Sequence, residues 1–177
     1  MFSFGSFLKK KNKKKLGEIE INLDFPNNPN NCEEVKDFLR KCALKNWIDS
    51  VLDFSPFCHK FSGTDTWNNW KNTLTEDVII PLDRIDLSYS ILDGMDFSGT
   101  SLEYARFNRA SLCDACFYFQ IYGKEIKRVA NINKSNFSGA DLKDAYFCNL
   151  DRFILIGFEF NDVINAPKEV LDFKKKK

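Results

Sequence analysis

The sequence holds one histidine, two methionines and no uninterrupted apolar stretch near the roughly 20 residues a membrane-spanning helix needs. A Ser/His/Asp array would have only His59 to draw on, and no nucleophile motif accompanies it. His59 lies beside Cys58 and near Pro56, in a stretch that reads as a turn, so a surface or half-packed role is expected. No Gly-Lys-Ser/Thr motif is present, so Gly94, Gly99 and Gly139 are not phosphate-loop glycines. Cys113-Asp-Ala-Cys116 has no second pair to complete a four-ligand zinc site, and free thiols are expected there. Nothing in the spacing of the six cysteines suggests a disulfide-stapled scaffold. The first eight residues are apolar and the basic run follows, the reverse of a secretory signal, so the chain reads as cytoplasmic. No catalytic residue, metal ligand or cofactor is expected.

Phenylalanine is plentiful, with 18 copies, and so much of it needs regular places to stack. The net charge of +1 hides an asymmetry. Six lysines between Lys9 and Lys15 and the four from Lys174 to Lys177 form two basic tails. Without them the chain has 16 basic against 25 acidic residues, an acidic body of net −9 between two cationic ends. Solvated tails are the plain reading. Beside Phe2, Phe4 and Phe7 the first tail also offers weak contact with an anionic membrane or nucleic acid, which would make the protein peripheral to a membrane.

Residues 1–15 read as a basic mobile arm and 16–78 as an N-terminal α+β capping region. Residues 16–25 alternate, with Ile19, Ile21, Leu23 and Phe25 on one side and Glu18, Glu20, Asn22 and Asp24 on the other, which predicts a half-buried strand. Asn31 and Glu34 approximate a capping box before the helical spacing of Val35, Phe38, Leu39 and Cys42. A helix is expected over about 32–54, stopped by Ser55-Pro56, and a shorter one over 67–74 with Trp67, Trp70 and Leu74 on one face.

After Val78 the pattern changes to a period of five. Leu82, Leu87, Leu92, Phe97, Leu102, Phe107, Leu112 and Phe117 are each five apart, and Ile132, Phe137, Leu142 and Phe147 resume the spacing. Two residues before each centre stands a mostly small side chain, such as Ala105, Ala110, Ala115, Ser135, Ala140 or Ala145. This period suits neither an α-helix nor an indefinite strand. It suits a chain that turns a corner every fifth residue, with both positions facing inward and the glycines and paired carboxylates such as Asp93 and Asp96 falling on solvated corners. Segments such as Ala105-Arg-Phe-Asn-Arg109 and Ala140-Asp-Leu-Lys-Asp144 resemble the A(D/N)Lxx unit of the pentapeptide-repeat family, over about residues 80–149. The resemblance implies a mainly β fold, a right-handed quadrilateral β-helix with four repeats per coil. The first coil departs from it, with Ile80, Ile85 and Met95 where the family prefers Ala.

Centres Phe117 and Ile132 are fifteen residues apart. If the intervening chain stayed on the coil, Lys127 would point into the core and Gln120 and Glu125 would take small-residue positions, at a large desolvation cost. Looping ten residues out, at about 119–128, restores four vertical columns: Leu82/Leu102/Ile132, Leu87/Phe107/Phe137, Leu92/Leu112/Leu142 and Phe97/Phe117/Phe147. The solenoid is expected over 79–164, with Phe153, Phe158 and Val163 as centres of a bulged partial fourth coil. Residues 165–177 read as a C-terminal capping helix, with apolar Val170, Leu171 and Phe173, followed by the Lys tail.

A solenoid with flat faces and no deep cleft suits another protein better than a small-molecule substrate. A non-enzymatic interaction scaffold is therefore the first expectation, with Tyr122, Lys124, Lys127 and Arg128 of the looped segment as candidate binding residues. Two alternatives stand beside it. The resemblance allows a DNA mimic acting on DNA gyrase or another topoisomerase, although residues 80–165 carry only 12 acidic against 9 basic side chains. It also allows a membrane platform anchored by the Phe/Lys arm.

Overall fold

The computed structural model describes residues 21–52, 62–120, 127–147 and 159–175. The basic arm 1–15, residues 16–20 of the expected strand, Cys58, His59 and the proposed centres Phe153 and Phe158 lie outside them. Helix α1 spans Cys32–Leu52 and α2 spans Ser62–Asn72. Short strands β1 (Ile80–Pro81) and β2 (Thr100–Ser101) pair in parallel, β3 (Tyr118–Gln120) and β4 (Lys127–Val129) pair antiparallel, and α3 spans Lys168–Lys175. Residues 21–25 form no strand, contrary to their alternation. Leu23 packs against the core and Phe25 meets Phe38 edge-on, so the segment lies along the helices as an extended strap.

Between 80 and 147 the chain turns every five residues. Among the described residues, at ten of the twelve centres, all but Phe117 and Phe147, the N–H three residues on donates to the centre's carbonyl, as in Ile85 to Leu82 at 3.1 Å and Thr100 to Phe97 at 3.2 Å. In each of these turns the residue two after the centre has positive φ, from 55° at Arg109 to 69° at Gly94, Gly99 and Gly139. A positive φ at the third residue of such a turn is type II geometry. Four corners close one circuit, and the next lies above it in parallel. The straight runs between corners are so short that most of the ladder consists of single parallel bridges, such as Asp86 with Arg106 and Ile91 with Ser111.

The preference for Asp or Asn before each centre has a local cause. The N–H after the centre points away from the ladder, and the Asp or Asn side chain two residues earlier accepts from it. Asp86 serves Ser88 at 3.1 Å, Asp96 serves Ser98 at 2.8 Å, Asn136 serves Ser138 at 2.8 Å and Asp141 serves Lys143 at 3.1 Å. Where Ser stands there instead, the coil before supplies the acceptor: Asp83 Oδ1 takes Glu103 N–H, and Asp93 Oδ1 takes Cys113 N–H.

The register records the break in the repeats. Leu82 N–H donates to Ser101 O and Leu87 N–H to Arg106 O, a twenty-residue circuit. From the second circuit to the third the step becomes thirty: Leu102 N–H reaches Asn131 O and Phe107 N–H reaches Asn136 O. The ten extra residues leave as a hairpin, with Phe119 opposite Arg128 and Gln120 opposite Lys127. Ala130 N–H returns to Phe117 O at 2.9 Å and closes its base. Among the described residues the excursion is the antiparallel pair Tyr118–Gln120 and Lys127–Val129. All twelve centres are buried, and their rings stack by column: Phe107 on Phe137 at 4.8 Å, Phe117 on Phe147 at 4.5 Å.

The partial fourth circuit has a different register from the one its spacing suggested. Phe137 N–H donates to Glu159 O, and Phe160 stacks on Phe137 at 5.0 Å, so Phe160 is the centre. Val163 takes the small-residue position above Ala140, as the bond from Ile164 N–H to Ala140 O shows, and is not a centre. The five-residue spacing of Phe158 and Val163 misled because the connection from the third circuit resets the phase. In α3, Val170 enters the core while Leu171 faces solvent.

The first circuit has no coil before it, and α1 and α2 stand in for one. Ile91, Asp93 and Asp96 occupy the places whose counterparts one circuit later, Ser111, Cys113 and Cys116, accept ladder bonds from the coil before. Here Asn46 Nδ2 donates to Ile91 O at 3.0 Å, Thr64 Oγ1 to Asp93 O at 2.9 Å and Trp67 Nε1 to Asp96 O at 2.8 Å. Asp96 N–H, in turn, finds Asn68 Oδ1 at 2.9 Å. Helical side chains therefore reproduce the ladder on the third and fourth faces and blunt an edge that would otherwise be open to association. This overturns the expectation of a solvated Asp93–Asp96 corner. Asp93, with Ser111 and Cys113 on its carboxylate, is half-buried, and Asp96 faces the buried Lys71.

Helix α2 starts five residues before the expected Trp67, and it ends at Asn72 rather than Leu74. Ser-Gly-Thr-Asp is weak helical sequence, but Asp49 of α1 accepts from both Ser62 N–H (3.0 Å) and Ser62 Oγ (2.6 Å), capping the helix from across the chain. Gly63 is required by close approach: a Cβ there would stand 2.0 Å from Cys42 O.

Candidate functional site

The outward side chains also form columns, and the second face, above Leu87, Phe107 and Phe137, is the most varied. One corner ladder bounds it with Arg84, Tyr104 and Lys134, and the other with Tyr89, Arg109, Gly139 and Asp162. Along the second of these corners Ser88, Asn108 and Ser138, with Asp86 and Arg106 on the face beside them, line an open groove of about 570 Å³ that Tyr89, Arg109, Gly139 and Asp162 complete. Gly139 leaves room for the Arg109 side chain in it, because a Cβ there would meet Arg109 Cγ at 3.1 Å.

The aromatic rings of both corners are exposed, Tyr89 by 60% and Tyr104 by 44%. The Arg84 guanidinium lies 5.4 Å from the Tyr104 ring centre and that of Arg109 lies 5.8 Å from Tyr89. Lys134 donates to Tyr104 Oη at 2.7 Å and to Glu103 at 3.2 Å, and these bonds hold its ammonium above the usual lysine range. Arg106 and Asp86 make a loose, exposed pair at 3.7 Å, which contributes little to stability. The third face has the opposite sign, with Asp93, Asp114, Asp141 and Asp144 against Lys143.

A family model for pentapeptide repeats matches eight copies over residues 82–117. Residues 82–117 carry pentapeptide repeats. Two solved structures are similar to this chain: a pentapeptide repeat protein from the cyanobacterium Cyanothece 51142, and HetL, a pentapeptide repeat protein involved in heterocyst differentiation regulation in Nostoc sp. strain PCC 7120. Each is 18% identical. The first aligns over 51% of this chain and 44% of its own with a TM-score of 0.20, the second over 49% and 47% with 0.13. The chain thus spans less than half the length of these solved relatives. No curated protein sequence matches it.

The pentapeptide repeats place the candidate residues unequally. Tyr122 and Lys124 lie outside the described residues. Lys127 is a β4 residue in the hairpin ladder, off the coil. Arg128 runs along the corner at Gly99, with its Cβ, Cγ and Cδ each 3.7 Å from where a Gly99 Cβ would stand; burial lowers the Lys71 ammonium and the Thr75 hydrogen bond lowers the Asp77 carboxyl, and the charge of Arg128 adds a smaller push to each. It therefore belongs to the fourth face and stands apart from the groove. Sequence reasoning passed over Arg84, Tyr89, Tyr104 and Arg109. Their signal was available, since all four sit two residues after a centre, but a single repeat does not reveal which corners share a face.

Cys113 and Cys116 are both half-buried free thiols, and burial pushes both up from the usual thiol range, which disfavours the nucleophilic thiolate. Cys116 Sγ donates to Tyr118 O at 2.9 Å. Among the described residues no cluster of His, Cys, Asp or Glu could hold a metal, and no helix is long and apolar enough to cross a membrane.

Proposed function

We propose that the protein is a non-enzymatic scaffold that binds another protein through the exposed faces of its pentapeptide-repeat coil. The observation that carries this reading is a laddered frame whose second face displays Arg84 and Tyr104 at one corner and, at the other, Tyr89 and Arg109 lining a shallow groove. Tyr and Arg are the side chains that most often anchor protein interfaces, and a broad open groove suits a protein surface better than a small substrate. The DNA-mimic reading asks for a continuous acidic rod, whereas here the acidic third face adjoins a second face bearing Arg84, Arg106, Arg109 and Lys134. The test is site-specific photocrosslinking in cell extract, with the crosslinker placed in turn at Ser138, Asp144 and Tyr146. A discrete adduct from one face supports the scaffold. Absence of any adduct from all three positions removes it.

A further inference from the structure

We infer that the second face takes an acidic peptide segment of a partner protein, with Arg84 and Arg109 gripping its carboxylates and Tyr89 and Tyr104 as stacking platforms; this rests on the scaffold reading. Lys71 and Lys134 each have a carboxylate partner, and Arg106 has a loose one. Arg84 and Arg109 have none among the described residues. Each is laid over a tyrosine ring instead, at the two corners that bound one face. A guanidinium on an exposed ring keeps its forked donors turned outward and loses little freedom when a carboxylate arrives. Beside Arg109 the groove offers hydroxyl and amide groups from Ser88, Asn108 and Ser138, which match a peptide's backbone groups.

Charge arrangement selects peptide over nucleic acid. Asp86 stands on the first circuit, and Glu159 and Asp162 on the last, so a continuous phosphate backbone crossing the face would run over carboxylates. A peptide can space its acidic side chains to meet only the arginines. The acidic third face explains why a basic segment would be turned away to the neighbouring side.

The test is fluorescence anisotropy with the full chain at low salt, using a fluorescein-labelled glutamate–tyrosine copolymer as probe. Labelled poly-lysine, duplex DNA and single-stranded RNA run in parallel. The decisive variant is R84N/R109N, because both residues have positive φ (60° and 55°) and Asn tolerates that region. The copolymer is expected to bind saturably to the wild type and about tenfold or more weakly to R84N/R109N. D114N/D144N on the third face is expected to bind it as the wild type does. Equal binding by wild type and R84N/R109N overturns the inference, as does tighter binding of poly-lysine or of either nucleic acid. If the wild type ignores the copolymer while crosslinking still yields an adduct, this face is wrong and the scaffold reading stands.

Discussion

Asp96→Asn isolates the ion pair that joins the helical cap to the coil. Lys71 is 1% exposed, and its Nζ lies 2.5 Å from Asp96 Oδ2 and 2.8 Å from Ser98 Oγ. The substitution keeps the Oδ1 that accepts from Ser98 N–H, so the local turn survives and only the charge is lost. What remains is a buried ammonium facing a hydroxyl and an amide. Breaking one side of a buried pair costs about 3–5 kcal/mol, and the remaining acceptors favour the lower end. Lys71 already titrates below its usual 10.5, because burial disfavours its charge more than Asp96 supports it. The folded state therefore binds fewer protons than the unfolded between that lowered value and 10.5, and stability rises with pH across this window. In Asp96→Asn the window widens, and the defect shrinks as pH rises toward 10.5. K71M/D96N removes both charges and is expected to return within about 1 kcal/mol of the wild type, since a matching apolar chain replaces the ion. Urea unfolding followed by Trp67 and Trp70 emission measures all three. A loss below about 1 kcal/mol in Asp96→Asn, or a double variant as weak as the single, would refute the reasoning.

Phe117 touches the rings of Phe97, Phe107, Phe137 and Phe147 at 4.5–6.2 Å, so Phe117→Ala is expected to cost about 3–5 kcal/mol in equilibrium unfolding. Gly63→Ala forces α1 and α2 apart because the obstructing atom is backbone. A loss of about 3 kcal/mol is expected, with a red shift of tryptophan emission as the cap loosens. Burial raises the Asp49 carboxyl, but the bonds from Lys45 and Ser62 outweigh it and hold it below 3.8. Its contribution is therefore present above pH 3.8 and lost as pH falls through the lowered folded value, so Asp49→Asn should flatten the acid limb of stability against pH.

Much of the coil was legible because the repeat acts locally. Each five-residue unit carries its own inward Leu, Phe or Ile and most carry a small neighbour; several also carry the Asp or Asn that satisfies their own turn. The ten surplus residues before Ile132 announced an excursion by simple counting, since a buried Lys127 was too costly an alternative. Residues 21–25 failed the same kind of reading. Their alternation describes what a strand would look like, and among the described residues no strand pairs with them. The fourth circuit failed because a phase reset of three residues is invisible when Phe158 and Val163 happen to keep the old interval.

The sequence by itself determined the column of apolar side chains, because a period of five with one large and one small inward residue has one packing solution. Tertiary structure alone decided where the coil begins and which outward side chains share a face. Asn46, Thr64, Trp67 and Asn68 become substitutes for a missing coil only when α1 and α2 lie across its first edge. Arg84 and Arg109 become one site only when the chain has turned a full circuit between them. Hydrogen bonds and charges act across a few ångströms of space, and twenty residues of sequence separation carry no sign of that nearness.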